Sequence, residues 1–306
     1  MSKRTPALAR STRRWYEFKE VLRRKLYHAR ALGVGPRDTV LDVGSGHGPN
    51  WRANVLCDKF AGDATERLGS ALASPAGRPF VIGDALHLPF RDQAFDFVVC
   101  SHVLEHVEDP EQMLRELSRV ARRGYIETPS RIWEKLHSLA IHRWLISLEE
   151  GRLVLEQKAR PVLDSELEDW LDERIGRDHS FQHIWMRYWE QGLAMQYWWE
   201  GEIPVEVRRL SPAPAEFAHA TLAEEDAETT PAAPPGMMAR LDATCGRWLR
   251  RHSQPRVRDV LALLACPLCR GGLQASADAQ RLTCCACGAA FPQRDGVPVL
   301  LAEAVL

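Results

Sequence analysis

The stretch Val40–Phe60, VLDVGSGHGPNWRANVLCDKF, decides how this chain is read. It begins with a short β-rich run, TVLDVG, and passes directly into Asp42, Gly44, Gly46 and Gly48 of DVGSGHG. Glycines placed there let the backbone turn sharply and let a ligand lie against it without meeting a Cβ. The next β-rich run, NVLCDKF, arrives before a normal crossover helix could finish. A dinucleotide loop of the form G-x-G-x-x-G/A would put its third small residue at position 49. Pro49 stands there and has no N–H for a pyrophosphate. With only Pro49 to Ala53 left before the next strand, a long phosphate-facing helix is not expected, and the loop suits a ligand without phosphate.

Working outward, TVLDVG, NVLCDKF, PFVIGD, FDFVVCS and RGYIETP alternate with helical segments. Strands that read as continuous apolar runs belong to sheets covered on both faces, so the spacing predicts a mostly parallel α/β sheet with helices on both sides. One helix is well marked between the fourth and fifth strands. Asp109 is its N-cap, Pro110 takes the first position, Gln112 sits at the capping-box position, and Met113, Leu114, Leu117 and Val120 form its inner face. The pattern then loosens. WLISLEEGRLVLEQ predicts a hairpin turning at Glu150 and Gly151, and MQYWWEGEIPVEVRRL a second turning near Gly201.

The chain has 306 residues, 45% hydrophobic and 26% charged, which is enough for one substantial core and a smaller module. Residues 1–36 form a basic amphipathic helix: from Met1 to Arg37 there are eleven Lys or Arg against Glu17 and Glu20, in a chain whose net charge is -1. Its first reading is a helix packed on the domain with a solvated basic side, and RNA or an anionic membrane is the alternative contact. Residues 37–210 form the α/β domain, with 132–200 as an acceptor-side insertion. Residues 211–236, rich in Ala, Pro and Glu, are a linker. Residues 237–255 are a helical connector and 256–306 a small terminal domain. No run of about 18 apolar residues exists to span a membrane, and arginines interrupt any secretory core, which implies a cytoplasmic protein.

The terminal domain carries Cys266-x2-Cys269 and Cys284-x2-Cys287. Two such pairs bring four thiolates around one structural zinc, a usage that fits a reducing compartment. The linker is long enough for this ribbon to dock within its own chain, and Leu261, Leu264, Val297, Val299 and Leu300 supply apolar surface for it.

The ordered set of glycine loop, acid closing the second strand, GDALHLPF and FDFVVCSHVLEHVEDPEQMLRELSRV resembles class I S-adenosylmethionine-dependent methyltransferases over roughly residues 34–129. The resemblance implies a Rossmann-like methyltransferase fold with S-adenosyl-L-methionine as cofactor. It places Asp42, Gly44, Ser45, Gly46 and Gly48 along the methionine and ribose. Asp58 would take the ribose hydroxyls, Asp84 the adenine amine with Ala85 beside the ring, and Ser101 with His102 the methionine end. His102 and His106 are the candidate catalytic bases. CSHVLEH stands where enzymes that methylate planar amines carry an Asn-Pro-Pro-Tyr type motif, which disfavours such acceptors. Trp185, Tyr188, Trp189, Tyr197, Trp198 and Trp199 can line an acceptor pocket or serve as core. The cysteine module resembles the zinc-ribbon activator subunit that partners methyltransferases of tRNA, rRNA and release factors, over about residues 260–301. The reading is a methyltransferase acting on oxygen or carbon of a small molecule. Its rivals are an RNA methyltransferase, a nicotinamide-dependent oxidoreductase and a non-catalytic cofactor-binding module.

Overall fold

The computed structural model describes residues 32–46, 48–60, 77–136, 139, 141–159, 170, 173–174, 193–211, 257 and 259–306. Residues 1–31 of the expected basic helix, nearly all of the linker, the helical connector, the insertion's histidines His179 and His183, and Trp185, Tyr188 and Trp189 lie outside those residues, while residues 32–36 are described as turn and loop, not helix.

Five parallel strands form the centre of the fold: β1 (Val40–Val43), β2 (Val55–Asp58), β3 (Phe80–Gly83), β4 (Phe97–Ser101) and β5 (Arg123–Pro129). Every residue of β1, β2 and β3 is buried, which accounts for their unbroken apolar reading. Their spatial order is β3-β2-β1-β4-β5. The chain therefore reverses its direction of travel between β1 and β4, and a crevice opens beyond the carboxyl ends of those two strands, where ligands of open α/β sheets bind.

Helix α1 (Pro110–Val120) is the one the sequence marks. The Asp109 carboxylate caps the Gln112 N–H at 2.9 Å, and Met113, Leu114, Leu117 and Val120 are buried. Gln112 does not complete a capping box. Its amide instead donates to the Leu86 carbonyl at 3.0 Å and ties the helix to the segment after β3. A short helix α2 (Arg131–Leu136) follows β5.

The hairpin of β6 (Trp144–Glu149) and β7 (Arg152–Gln157) turns as expected, with Glu150 at φ 49° and Gly151 at φ 79°. The second expected hairpin is not one. β8 (Ala194–Glu200) pairs antiparallel with β5 along its whole length, and β9 (Val205–Arg208) pairs parallel with β7. The turn at Gly201 remains, but β5 and β7 each offered an unpaired edge and took one strand apiece. Gly124 makes the first pairing workable: a Cβ there would meet the Val98 carbonyl at 2.6 Å and the Trp199 ring at 2.7 Å.

The terminal domain consists of β10 (Leu273–Ala275), β11 (Arg281–Cys284), β12 (Ala290–Arg294) and β13 (Val297–Leu300), an antiparallel series. Its last strand pairs parallel with β3, Val299 opposite Ile82 and Leu300 opposite Gly83, so one sheet of ten strands runs through both domains. The seam continues below the sheet. Arg91 donates its N–H to the Leu263 carbonyl, Ala265 donates to the Pro89 carbonyl, and Arg270 reaches the buried Glu116 at 3.2 Å. Leu264 and Leu300 are fully buried there. The ribbon thus docks on the α/β domain of its own chain.

Candidate functional site

The compressed crossover from β1 to β2 contains no helix among its described residues, and side chains satisfy its backbone instead. The Asp42 carboxylate accepts the Asn50 N–H at 2.7 Å, Asn50 accepts the Arg52 N–H at 2.9 Å, and Arg78 donates to the Asn50 carbonyl at 2.7 Å. Gly44 and Ser45 both donate to the Cys57 carbonyl, which pins the glycine loop to β2. Gly44 must be glycine on two grounds: its φ is +70°, and a Cβ would lie 2.1 Å from a Val103 methyl across the switch-point crevice. Gly48 is different. Nothing lies within 4 Å of where its Cβ would stand, so that side of the loop is open.

Two carboxylates follow on the adjacent strand ends. Asp58 accepts from Gly46 N–H at 2.8 Å through one oxygen and from Phe60 N–H at 2.9 Å through the other. Asp84 accepts from Leu86 N–H at 2.9 Å and pairs with Lys59 at 2.7 Å. Burial opposes the charge on Lys59, but the Asp84 bond outweighs it, and Glu303 from the turn after β13 adds to the pull. The docked ribbon therefore acts electrostatically on the rim that carries Asp84. Asp42 lies inward of the rim, fully buried, and desolvation lifts its carboxyl from 3.8 to about 7 against the lowering effect of the Asn50 N–H.

His102 ends β4 in the left-handed region, φ 57°, an uncommon conformation for a residue with a side chain. Its Nδ1 lies 3.4 Å from Glu105 and its Nε2 3.5 Å from Glu127. Desolvation resists the imidazolium, and the two carboxylates override it and push the ring up to about 10. Glu127 moves the other way, to about 2, because His102, Tyr125 and Gln196 all donate to it against the cost of burial. Ser101 and Ala85 are partly buried on the same rim.

A second polar cluster adjoins this one: His106 and the acceptor-side His142 are both expected near the site from the sequence, but their meeting with each other and with Glu134 is not. His142 is buried and its Nδ1 contacts Glu134, which also binds Lys158 at 2.9 Å. The His142 ring stacks edge-on against His106 with centroids 4.7 Å apart. Residues 106 and 142 are far apart along the chain, and only the return of the chain through α2 into β6 joins them. Of the described aromatic residues, Trp199 is core and Trp198 lies 44% exposed against Tyr125. A concavity of about 770 Å³ lies between α1 and the turn after β8, lined by Glu111, Arg115, Glu202 and Ile203 among others, and none of the predicted site residues borders it.

In the ribbon, the Sγ atoms of Cys266, Cys269, Cys284 and Cys287 all lie within 4.8 Å of one another. Cys266 to Cys287 is 3.8 Å and Cys269 to Cys284 is 3.4 Å. Zinc–sulfur bonds of about 2.3 Å give tetrahedral sulfur separations of about 3.8 Å, so the four fit one zinc. The thiols share charge unevenly: burial opposes the Cys284 thiolate, but the Cys287 and Ala286 N–H groups outweigh it and bring Cys284 down to about 6, while burial pushes Cys266 up to about 12 and, against the Gly271 N–H, the neighbouring sulfurs raise Cys269. Gly271 lets the knuckle close, since a Cβ there would stand 2.7 Å from Ala286 and 3.0 Å from the Cys284 sulfur.

Residues 41–126 match the methyltransferase domain family, and residues 258–296 match the Trm112p-like protein family. Among curated proteins, the demethylmenaquinone methyltransferase of Mycolicibacterium paratuberculosis is 39% identical over 95 residues, covering 31% of this chain and 41% of that one. The ajmaline N-methyltransferase of Rauvolfia serpentina is 34% identical over 91 residues, 30% of this chain and 28% of that one. The chain spans about two fifths of the length of the first of these relatives. Among solved structures, a chain of the complex between the Haloferax volcanii Trm112 methyltransferase activator and a methyltransferase matches at 22% identity, covering 39% of this chain and 59% of its own, with a TM-score of 0.30.

Proposed function

We propose that this chain, which joins a class I methyltransferase domain at residues 41–126 to a Trm112p-like domain at 258–296, is an S-adenosylmethionine-dependent methyltransferase acting on oxygen or carbon of a small-molecule acceptor. The observation that carries the reading is the glycine loop after β1, tied by Gly46 to Asp58, with Asp84 on the neighbouring strand end. One Asp58 oxygen accepts the Gly46 N–H and the other the Phe60 N–H, which holds the carboxylate against the glycine loop, and its two oxygens match the spacing of two adjacent ribose hydroxyls. Asp84, steadied by Lys59, is the carboxylate that would accept from an adenine amine, with Ala85 the residue that would lie beside the ring. The open side of Gly48 gives the backbone close approach that such a ligand needs.

When bound, S-adenosylmethionine supplies an electrophilic methyl group on a sulfonium. The work of the chain is to hold the acceptor in line with it and exclude water, and positioning of this kind can supply much of a rate enhancement. His102 serves as a positioning residue. Both of its ring nitrogens face carboxylates, Glu105 at 3.4 Å and Glu127 at 3.5 Å, so the imidazole pairs with these two and does not point a lone pair at an acceptor. The relatives whose names give an acceptor, the demethylmenaquinone methyltransferase and the ajmaline N-methyltransferase, act on small molecules, which supports that acceptor class, though the second name gives nitrogen and so does not support the choice of oxygen or carbon. The four-thiolate ribbon suits structural zinc and a reducing, cytoplasmic setting.

The Trm112p-like domain and the basic residues 1–36 favour a second reading, an RNA acceptor. Incubation with methyl-labelled cofactor separates the two. The proposal expects label in phenols or hydroquinones at oxygen or carbon and none in tRNA or rRNA. Label confined to RNA, with binding that falls steeply with salt, would transfer the assignment to RNA.

A further inference from the structure

We propose that Glu105, His106 and His142 form a second metal site, distinct from the four cysteines, that takes one first-row divalent cation beside the crevice between β1 and β4. One ligand atom from each lies within 4.8 Å of the others. Bonds of about 2.1 Å would set tetrahedral ligands about 3.4 Å apart, so the three draw in by an ångström or so on binding. Two imidazoles and one carboxylate suit manganese, iron or zinc rather than calcium or magnesium, which prefer oxygen ligands throughout.

Two independent observations point to a cation. Glu105 is 1% exposed, and the nearest described partner of its carboxylate is the His102 ring, at the ion-pair distance of 3.4 Å, with no shorter hydrogen bond to either oxygen. A buried carboxylate in that state is costly unless an ion completes it. Its cationic neighbour among the described residues, His102, stands 3.4 Å off and is shared with Glu127. The second observation is the shell behind His142. Glu134 contacts Nδ1 of His142, is itself buried, and is held by Lys158. A carboxylate on one ring nitrogen fixes the tautomer and leaves Nε2 as the ligating atom, which is how metal-bound histidines are oriented.

The site shares Glu105 with the His102 contact, so a metal there would lie within one side chain of the rim. Three protein ligands would leave positions for water or for an acceptor oxygen, and the cation would lower that oxygen's pKa so that its proton could pass to solvent water. Binding itself does not depend on the methyl-donor reading.

The test uses the full chain, zinc-loaded at the cysteines, with Mn2+ as probe and no methyl donor present. Paramagnetic resonance is expected to show one Mn2+ bound beyond the zinc. His142→Ala and Glu105→Gln should each weaken it about tenfold or more while zinc stays at one per chain, and Glu134→Gln, on a positioning residue, should weaken it within the 10–100-fold range of outer-shell changes. If the buried variants do not fold, His106→Gln, on the partly exposed ligand, gives the same readout. Absence of Mn2+ beyond the zinc, or variants that bind it as tightly as the parent, would overturn the site. Since the methyl donor is absent, neither result depends on whether the chain transfers methyl groups.

Discussion

Gly46 donates its backbone N–H to Asp58 over 2.8 Å, so the glycine loop after β1 and the acid closing β2 are one structural unit. The compressed crossover makes this necessary. Where a longer connection would carry a helix, these residues hold their shape through Asp42, Asn50, Arg78 and Asp58.

Gly48→Ala separates folding from binding. Its Cβ would meet nothing within 4 Å, and its φ is not left-handed, so the melting temperature should stay within a degree or two of the parent. Cofactor affinity should fall, because the new methyl occupies the open face of the loop. Gly44→Ala should instead destabilise the fold, since its Cβ would overlap Val103. Thermal melts and calorimetry on both variants check the contrast, and a Gly48→Ala protein that binds as the parent does would place the ligand elsewhere.

Asp42 sets a pH dependence. Its carboxyl is raised from 3.8 to about 7 on folding, so between those values the folded chain binds a proton that the unfolded chain does not. Stability from this group is full below 3.8, falls as pH rises through the window, and is lost above about 7. Asp42→Asn keeps an acceptor for the Asn50 N–H without the charge. Parent and variant should melt alike near pH 4 and diverge by pH 8 in favour of the variant, by a few kcal/mol in order of magnitude. Parallel melting curves across pH would refute the burial argument.

Leu300→Ala tests the shared sheet. Leu300 is fully buried where β13 meets β3, and its truncation should cost about 2–5 kcal/mol. Both domains should show the loss in one transition, because their strands belong to one sheet. A ribbon that melts separately, with the α/β domain unchanged, would show that the seam contributes little.

One zinc per chain is expected at Cys266, Cys269, Cys284 and Cys287, and Cys266→Ser with Cys284→Ser should release it. Elemental analysis of protein purified without chelator is the check. Full zinc in the double variant would assign the metal to other ligands.

Much of this fold is legible residue by residue. Burial on both faces leaves unbroken apolar runs, so β1 to β5 could be read, and Asp109 with Pro110 marks the start of α1. Local turn chemistry located Glu150 and Gly151. What could not be read depends on partners distant in the chain. Gly201 turns the backbone, yet β8 and β9 go to different sheets because β5 and β7 compete for them. The apolar β13 gave no sign that its partner would be β3. The Glu105, His106 and His142 cluster was invisible for the same reason, with His142 brought in from a separate element. The glycine loop and its two acids, by contrast, sit on consecutive strand ends, where short-range pattern and tertiary position coincide.

The most direct test of the account is calorimetric titration of the purified chain with S-adenosylmethionine and its demethylated product, alongside NAD. The account predicts one cofactor site per chain, no binding of NAD, and an Asp58→Ala variant weaker by about 1–3 kcal/mol, the cost of losing charge-assisted hydrogen bonds. Binding of NAD in place of S-adenosylmethionine, or an Asp58→Ala protein with unchanged affinity, would contradict it.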